Sequence, residues 1–376
     1  MNRDRDKLSI YVHIPFCESK CLYCDFTSYT GMEDRFGPYF DALMYEAEFY
    51  AVDEPISSIY IGGGTPSLPD PGYIEKLLAG IKNAYTLSGD CEISIESNPN
   101  SLTYEKAARY FDAGINRISI GVQAADDDVL RRIGRIHRTE DSLRAVDAVK
   151  KAGFTNFNLD LMFSLPGQTP EDFGRSIDFA LESGAPHISC YSLTLEENTP
   201  INQLYKDGIY TEDDEADREM YHMACSRLAA AGIYRYEISN FARPGYECRH
   251  NLYCWNFADY LGVGVAAHSF VSPVRYINTS SVDDYIKNVY DNCHDQIVME
   301  ETDEELMGDY IMLALRKTDG IDPEDFRRRF GCDFDEKYSE VTERFIGEGL
   351  LFDAGGRYAL TEKGFDFANT VMREYL

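Results

Sequence analysis

Ile10-Tyr-Val-His-Ile-Pro-Phe16 runs directly into Cys17, Cys21 and Cys24, an apolar strand-like segment followed by three cysteines at spacings of four and three. Three thiolates on one short loop hold three corners of a 4Fe-4S cube and leave the fourth iron open to a small molecule. A closed cluster or a structural zinc site wants a fourth protein ligand. The residues alone leave two alternatives standing: three unrelated reduced cysteines, or a zinc site completed by His13.

Outward from this loop, short β-branched runs alternate with amphipathic helical segments through the first two thirds of the chain. Strands are predicted at Ser9–Ile14, Ser58–Ile61, Glu92–Glu96, Arg117–Val122, Asn156–Met162 and His187–Leu193. Helices are predicted near Tyr39–Tyr50, Gly72–Tyr85, Tyr104–Ala113, Glu140–Ala152 and Glu171–Ser183, several closed by the glycine that favours a helix C-terminus, as at Gly114, Gly153 and Gly184. Such alternation means parallel strands joined by crossover helices. It does not by itself exclude a doubly wound sheet. Nearly every strand, however, ends in a polar or glycine-rich signature, which favours a partial (β/α)6 barrel with its chemistry at the strand C-terminal ends.

From about Gly232 the rhythm changes. Arg235–Phe241 reads as one more strand, followed by an irregular stretch, Pro244–Trp255, rich in rings and cysteines, and then by a glycine-rich Leu261–Ser269. Helices at Asp303–Arg316, Pro323–Phe330 and Tyr338–Glu348 precede a hairpin over Leu350–Leu360 that turns at Ala354-Gly-Gly356. That order predicts a C-terminal, mostly helical, winged-helix-like domain. The expected organisation is an α/β partial barrel over 1–235, a connecting region over 236–300 and the winged-helix-like domain over 301–376.

Composition narrows the function. An apolar content of 44% supports a buried core, and a net charge of −29 argues against nucleic acid and against anionic lipid as partners. No apolar run is long enough to span a bilayer and the N-terminus lacks a signal peptide, so the expectation is a cytosolic protein with no integral membrane segment. Ten cysteines in such a chain are poor candidates for disulfides. Cys91, Cys190, Cys225, Cys293 and Cys332 read as ordinary buried thiols.

Several strand ends carry groups suited to a ligand. Gly62-Gly63-Gly64-Thr65-Pro66 closes the second strand, and glycine there lets the backbone approach a ligand closely. Glu96 ends the third strand, Gln123 the fourth, and Asp160 lies in the fifth. Any one of these is ordinarily a cap; four successive strands ending this way converge on one mouth. Arg135, in Gly134-Arg-Ile-His137, supplies a cation beside a carboxylate or ribose, or serves as a solvated helix-end charge.

Tyr11-Val-His-Ile-Pro-Phe-Cys17-x3-Cys21-x-Tyr23-Cys24, Gly62-Gly-Gly-Thr-Pro66, Ile118-Ser-Ile-Gly-Val-Gln123 and Asn158-Leu-Asp160-Leu-Met together resemble the radical S-adenosylmethionine (SAM) family. They are closest to the branch that contains oxygen-independent coproporphyrinogen dehydrogenase and its heme-chaperone relatives, and the likeness runs from about Leu8 to the last helix. The resemblance implies that Cys17, Cys21 and Cys24 bind a 4Fe-4S cluster whose fourth iron takes the amino and carboxylate groups of SAM. Reduction of the sulfonium then releases a 5′-deoxyadenosyl radical. It implies further that Tyr11, Tyr23, Gly63, Gly64, Thr65, Glu96, Gln123, Arg135 and Asp160 contact the cofactors.

Two departures separate the branches. The dehydrogenase carries a further cysteine two residues beyond the third and a long N-terminal extension, whereas here Phe26 holds that position and seven residues precede the likeness. Decarboxylation in porphyrin biosynthesis is therefore the alternative, and a heme chaperone that serves heme-accepting respiratory proteins is the expectation, with a homodimer as a further one. His250-Asn-Leu-Tyr253-Cys254-Trp255 resembles the chaperones' His-Asn-x-x-Tyr-Trp heme motif, with Cys254 where the motif has tyrosine. His250 is the expected axial heme ligand, and His268 and Cys254 are its rivals.

Overall fold

The structure, a computed structural model, describes residues 8–291 and 297–376; Cys293 and His294 lie outside the described residues. Its first half repeats a strand–helix unit: β1 (Leu8–Ile14), α1 (Phe36–Phe49), β2 (Ile56–Gly63), α2 (Pro71–Ala84), β3 (Leu87–Ser97), α3 (Tyr104–Asp112), β4 (Arg117–Gln123), α4 (Asp127–Arg132), α5 (Thr139–Lys151), β5 (Phe157–Phe163), α6 (Pro170–Ser183) and β6 (His187–Ser192). The helix starts are written locally. Thr169 caps α6 by accepting from the Asp172 N–H, Asp172 returns the bond to the Thr169 N–H, Pro170 stands at the first turn, and Gly184 ends the helix at φ +72°.

β1 to β6 are all parallel and neighbour one another in chain order. A doubly wound sheet reverses direction at a switch point, so the monotonic order settles the choice left open by the sequence in favour of a partial barrel with its helices outside. The strand sequences alternate. Ile10, Val12, Ile59, Ile61, Ile93, Ile95, Ile118, Ile120, Leu159, Leu161 and Ile188 pack into the core beneath the helices. The other face carries Ser58 and Tyr60, Glu92 and Glu96, Arg117 and Ser119, Asn158 and Asp160, and His187 and Ser189; Tyr60 bonds Glu96, Ser119 and Asn158 bond Asp160, and His187 and Ser189 bond Asn158, while Ser58 bonds Ser9 and Glu92 accepts from the backbone at Arg249 and His250. The lumen is therefore polar from end to end.

After α7 (Pro200–Lys206) and α8 (Asp214–Ala230), the stretch expected as one strand over Arg235–Phe241 is instead a hairpin of β7 (Tyr234–Arg235) and β8 (Asn240–Ala242). Glu237 between them is fully buried and accepts from the Ser239 N–H and the Asn240 side chain, which curls the chain back on itself. The irregular stretch also contains a helix, α9 (Arg249–Trp255). The 236–300 region is no mere connector. β9 (Tyr260–Val263) pairs in parallel with β1, and β10 (His268–Val271), β11 (Val274–Ile277) and, after α10 (Val282–Asn288), β12 (Ile297–Glu300) continue the sheet antiparallel, while β8 extends it beyond β6.

The last segment follows the winged-helix order: α11 (Asp303–Arg316), α12 (Pro323–Phe330), α13 (Phe334–Gly347) and the hairpin β13 (Leu351–Asp353)–β14 (Tyr358–Leu360), then two short helices, α14 (Glu362–Asp366) and α15 (Ala368–Arg373), that the sequence reading did not separate. Its core, built on Phe326, Phe334 and Phe345, takes in Phe257 and Phe270 from the sheet extension, so this domain is packed onto the barrel.

Candidate functional site

At the C-terminal ends of the barrel strands lies a cavity of about 500 Å3. Cys17, Cys21, Tyr23 and Cys24 from the loop after β1 wall one side; Gly63, Gly64, Glu96, Gln123, Arg135 and Asp160 wall the rest. Ten of the expected cofactor and cluster residues thus share one space. Thr65 stands just behind it, its hydroxyl 3.5 Å from Cys17 Sγ and accepting from Asn98 Nδ2 at 2.9 Å. Tyr11 is not on the wall: its ring stacks on Tyr60 and its hydroxyl meets His13 Nδ1 at 3.1 Å.

The cysteine loop is tied to the barrel by its backbone. The Cys17 N–H donates to Tyr29 O at 2.9 Å, and the Leu22 N–H to Ile133 O at 3.0 Å. Burial raises the thiol pKa of Cys17 and Cys24, which leaves their thiolates in want of a cation or metal. The zinc alternative fails on geometry. His13 is buried, and its second nitrogen, Nε2, lies 2.8 Å from Thr27 O. Among the described residues no three His, Cys, Asp or Glu side chains converge on the position of a single ion. A cube takes one thiolate per iron, so its ligands stand apart around a mouth, as these three do.

The glycine turn serves the cluster loop as much as the cavity. Gly63 holds φ +113°, and a Cβ there would meet the His13 ring at 2.7 Å. A Cβ on Gly64 would lie 2.8 Å from Phe16 O and 3.0 Å from Cys17 Sγ. A side chain at Gly64 therefore displaces the cluster loop itself.

The polar wall is preorganised. Glu96 accepts from the Tyr60 hydroxyl at 2.8 Å and from the Gly63 N–H at 3.1 Å; burial, with Asp160 nearby, pushes its pKa up to about 7. Asp160 accepts from Ser119 Oγ and Asn158 Nδ2, each at 2.8 Å. Arg135 donates to Asn98 Oδ1 at 2.9 Å and to Gly121 O at 3.2 Å. Gln123 closes β4 at φ +65°, a conformation that non-glycine residues adopt at a cost and that ends the strand at the cavity wall. Carboxylates, a guanidinium, an amide and open backbone suit a ligand with ammonium, carboxylate and hydroxyl groups. Tyr60, Asn98, Ser119 and Tyr191 belong to the same site and were missed in the sequence, although each lies on, or one residue beyond, the lumen register of its strand. Phe26 sits at the rim, 63% exposed.

His250 is not at this mouth. It lies on α9, at the opposite end of the barrel, where the Arg249 and His250 N–H groups donate to the buried Glu92 carboxylate at 3.2 and 3.1 Å. That carboxylate caps a helix whose N-cap residue, Cys248, makes no side-chain cap. The His250 ring is buried against Tyr60 with Nδ1 2.9 Å from Ser58 Oγ, and burial together with Arg117 holds its pKa down at about 3. The expected loop histidine open to a flat macrocycle is thus a neutral ring inside the barrel. Of its rivals, Cys254 is half-buried with its thiol pushed up to about 12 by desolvation, and His268 opens β10 as an exposed residue. Cys225 and Cys332, expected to be buried, are partly exposed.

The geometry defines a radical SAM protein. The Radical SAM superfamily model matches residues 11–180, and the HemN C-terminal domain model matches residues 302–367. The solved coproporphyrinogen III oxidase (HemN) from Escherichia coli shares the fold with a TM-score of 0.87 at 22% identity, over 99% of this chain and 90% of that one. The chain is 36% identical to the heme chaperone HemW of Bacillus subtilis, over 98% of this chain and 99% of that protein. It is 34% identical to the heme chaperone HemW of Escherichia coli, over 98% of each. The chain belongs to the HemW family.

Proposed function

We propose that this protein is a heme chaperone: it holds a 4Fe-4S cluster and SAM at the barrel mouth, binds heme and delivers it to heme-accepting respiratory proteins. The observation that carries the reading is the end-to-end match to proteins named heme chaperone HemW, winged-helix-like domain included. Phe26, in place of the dehydrogenase branch's further cysteine, supports carriage over decarboxylation. The alternative, a coproporphyrinogen dehydrogenase, keeps the same cavity but lacks that group.

Cys17, Cys21 and Cys24 would hold the cluster, and Glu96, Asp160, Gln123, Arg135 and the Gly63–Gly64 backbone would hold SAM. When bound, the cluster supplies one electron toward the sulfonium. The chain's part is to orient the ligand: Tyr60 and Gly63 fix Glu96, Ser119 and Asn158 fix Asp160, and Asn98 fixes Arg135. For heme, an axial ligand has to reach the iron, and His268 is the exposed candidate. We therefore assign it the role first expected of His250.

The test is heme titration of the reconstituted protein, followed by mixing with an apo-hemoprotein of the respiratory chain. A stoichiometric Soret band that moves to the acceptor supports the chaperone, and its loss in His268→Ala but not in His250→Ala or Cys254→Ser supports the ligand. A protein that takes up no heme overturns the function, and full binding in all three variants overturns the ligand assignment.

A further inference from the structure

Three rings pack in a row inside the barrel: His250, Tyr60 and Tyr11. The His250 ring stacks on Tyr60 with centroids 5.0 Å apart and planes at 28°. Tyr60 in turn stacks on Tyr11 at 6.3 Å and 21°. The hydroxyl of the middle ring donates to Glu96 Oε1 at 2.8 Å, and Glu96 lines the cavity. Tyr60 therefore has the His250 ring on one side, the Tyr11 ring of the adjacent strand on the other, and its hydroxyl aimed at the carboxylate.

The His250 ring is itself fixed. Ser58 Oγ donates to Ser9 Oγ at 2.8 Å, so the 2.9 Å contact with His250 requires Nδ1 to carry the proton and donate to Ser58. The backbone N–H of His250 is held by Glu92. Side chain and backbone are thus anchored on β2 and β3, the same two strands that carry Tyr60 and Glu96.

We propose that His250 is a positioning residue of the SAM site: it fixes the Tyr60 ring, through the Tyr60 hydroxyl it fixes Glu96, and so α9 sets the cavity's affinity for SAM from the opposite end of the barrel. The inference rests on the SAM reading of the cavity. It gives the histidine of the His-Asn-Leu-Tyr-Cys-Trp motif work that requires no contact with heme. Loss of the ring opens space beside Tyr60, lets that ring tilt, and leaves Glu96 with the Gly63 N–H as its remaining anchor.

The experiment is anaerobic calorimetry of SAM binding to the cluster-reconstituted full chain, with a parallel heme titration. Tyr60→Phe, which keeps the ring and deletes the hydroxyl, is expected to weaken SAM about tenfold or more, since it removes a bond to a buried charged group. His250→Ala is expected to weaken it comparably, and the double variant no further than the weaker single one, because both act through one contact. His250→Phe, which returns a flat ring beside Tyr60, recovers most of the affinity lost in His250→Ala, while the heme Soret titration stays unchanged throughout. If His250→Ala does not fold, His250→Gln, which keeps a donor to Ser58 and removes the ring, carries the same comparison. Unchanged SAM affinity in the folded His250 variant overturns the proposal, as do additive losses in the double variant, or loss of heme with SAM binding intact. Failure of the unaltered protein to bind SAM at all overturns the reading on which the proposal rests.

Discussion

The two ends of the barrel are built from the same kinds of residue and do opposite things with them. At the top, Glu96, Asp160, Arg135 and three cysteines each keep part of their surface on an open cavity. At the bottom, Glu92, Arg117, His187 and His250 are buried: Glu92 is consumed by the α9 N–H groups, and His187 bridges Asn158 Oδ1 at 2.6 Å and the Tyr236 hydroxyl at 2.8 Å. Polar residues inside a barrel mark a ligand site only where they face space. Where they face one another they close the barrel, and a motif histidine there is part of the closure.

The contrast breaks most sharply at the cluster loop. Cys17→Ala is expected to abolish iron and sulfide uptake while leaving the fold intact, because the thiol lines the cavity and touches the small hydroxyl side chains of Thr65 and Ser28 rather than the core; retention of the full iron and sulfide content after anaerobic reconstitution would sink the cluster assignment. Gly64→Val is expected to lower cluster content as well as SAM binding, since its Cβ strikes Phe16 O and Cys17 Sγ. Iron analysis showing a full cluster in that variant would confine the turn to SAM alone.

At the other end the cost is stability. Glu92→Ala uncaps α9 and leaves the Arg249 and His250 N–H groups without their buried acceptor, with an expected loss of about 1–3 kcal/mol in urea unfolding and no change in cluster content. An effect below about 1 kcal/mol would mean that the bottom network is not what closes the barrel. Between the two, Asp160→Asn is expected to weaken SAM about tenfold with little effect on stability, read by calorimetry.

The smallest effect concerns pH and lies outside the lumen. Glu46 on α1 is fully buried, accepts from Gly264 N and Asn278 Nδ2 at 2.8 Å each and from the Tyr285 hydroxyl, and burial pushes its pKa up to about 7. A carboxyl raised in the folded state favours folding in its protonated form. The stabilising contribution is therefore present below the unfolded value of about 4.3 and is lost as pH rises through about 7. Unfolding midpoints of Glu46→Gln should fall less between pH 5 and 8 than those of the unaltered protein; parallel curves would reject the assignment.

How much of this was legible in the sequence follows from the same contrast. The barrel was readable because parallel strands, helix caps and glycine stops are local signals, as Thr169-Pro170 and Gly184 show for α6. The cysteine loop was readable because its three ligands sit within eight residues. Tyr60, Asn98, Ser119 and Tyr191 were not singled out, although strands that alternate Ser58-Ile-Tyr60-Ile or Ile118-Ser119-Ile120 are unusual in a parallel sheet buried on both faces and point to a polar lumen. His250 was misplaced because nothing local tells a buried helix from a loop; its surroundings come from Ser58, Tyr60 and Glu92, some 160 to 190 residues away. The joining of β9 to β1, which removes the boundary expected at 235, is likewise a long-range pairing.

The central claim, that this cavity holds SAM in the service of carrying heme rather than of decarboxylating a porphyrinogen, is met most directly by one measurement. The cluster-reconstituted protein is incubated anaerobically with dithionite, SAM and either heme or coproporphyrinogen, and bound heme, 5′-deoxyadenosine and decarboxylated product are scored. The account predicts stoichiometric bound heme and no decarboxylated product with Phe26 in place. Multiple turnovers of coproporphyrinogen, with 5′-deoxyadenosine formed in step, would contradict it.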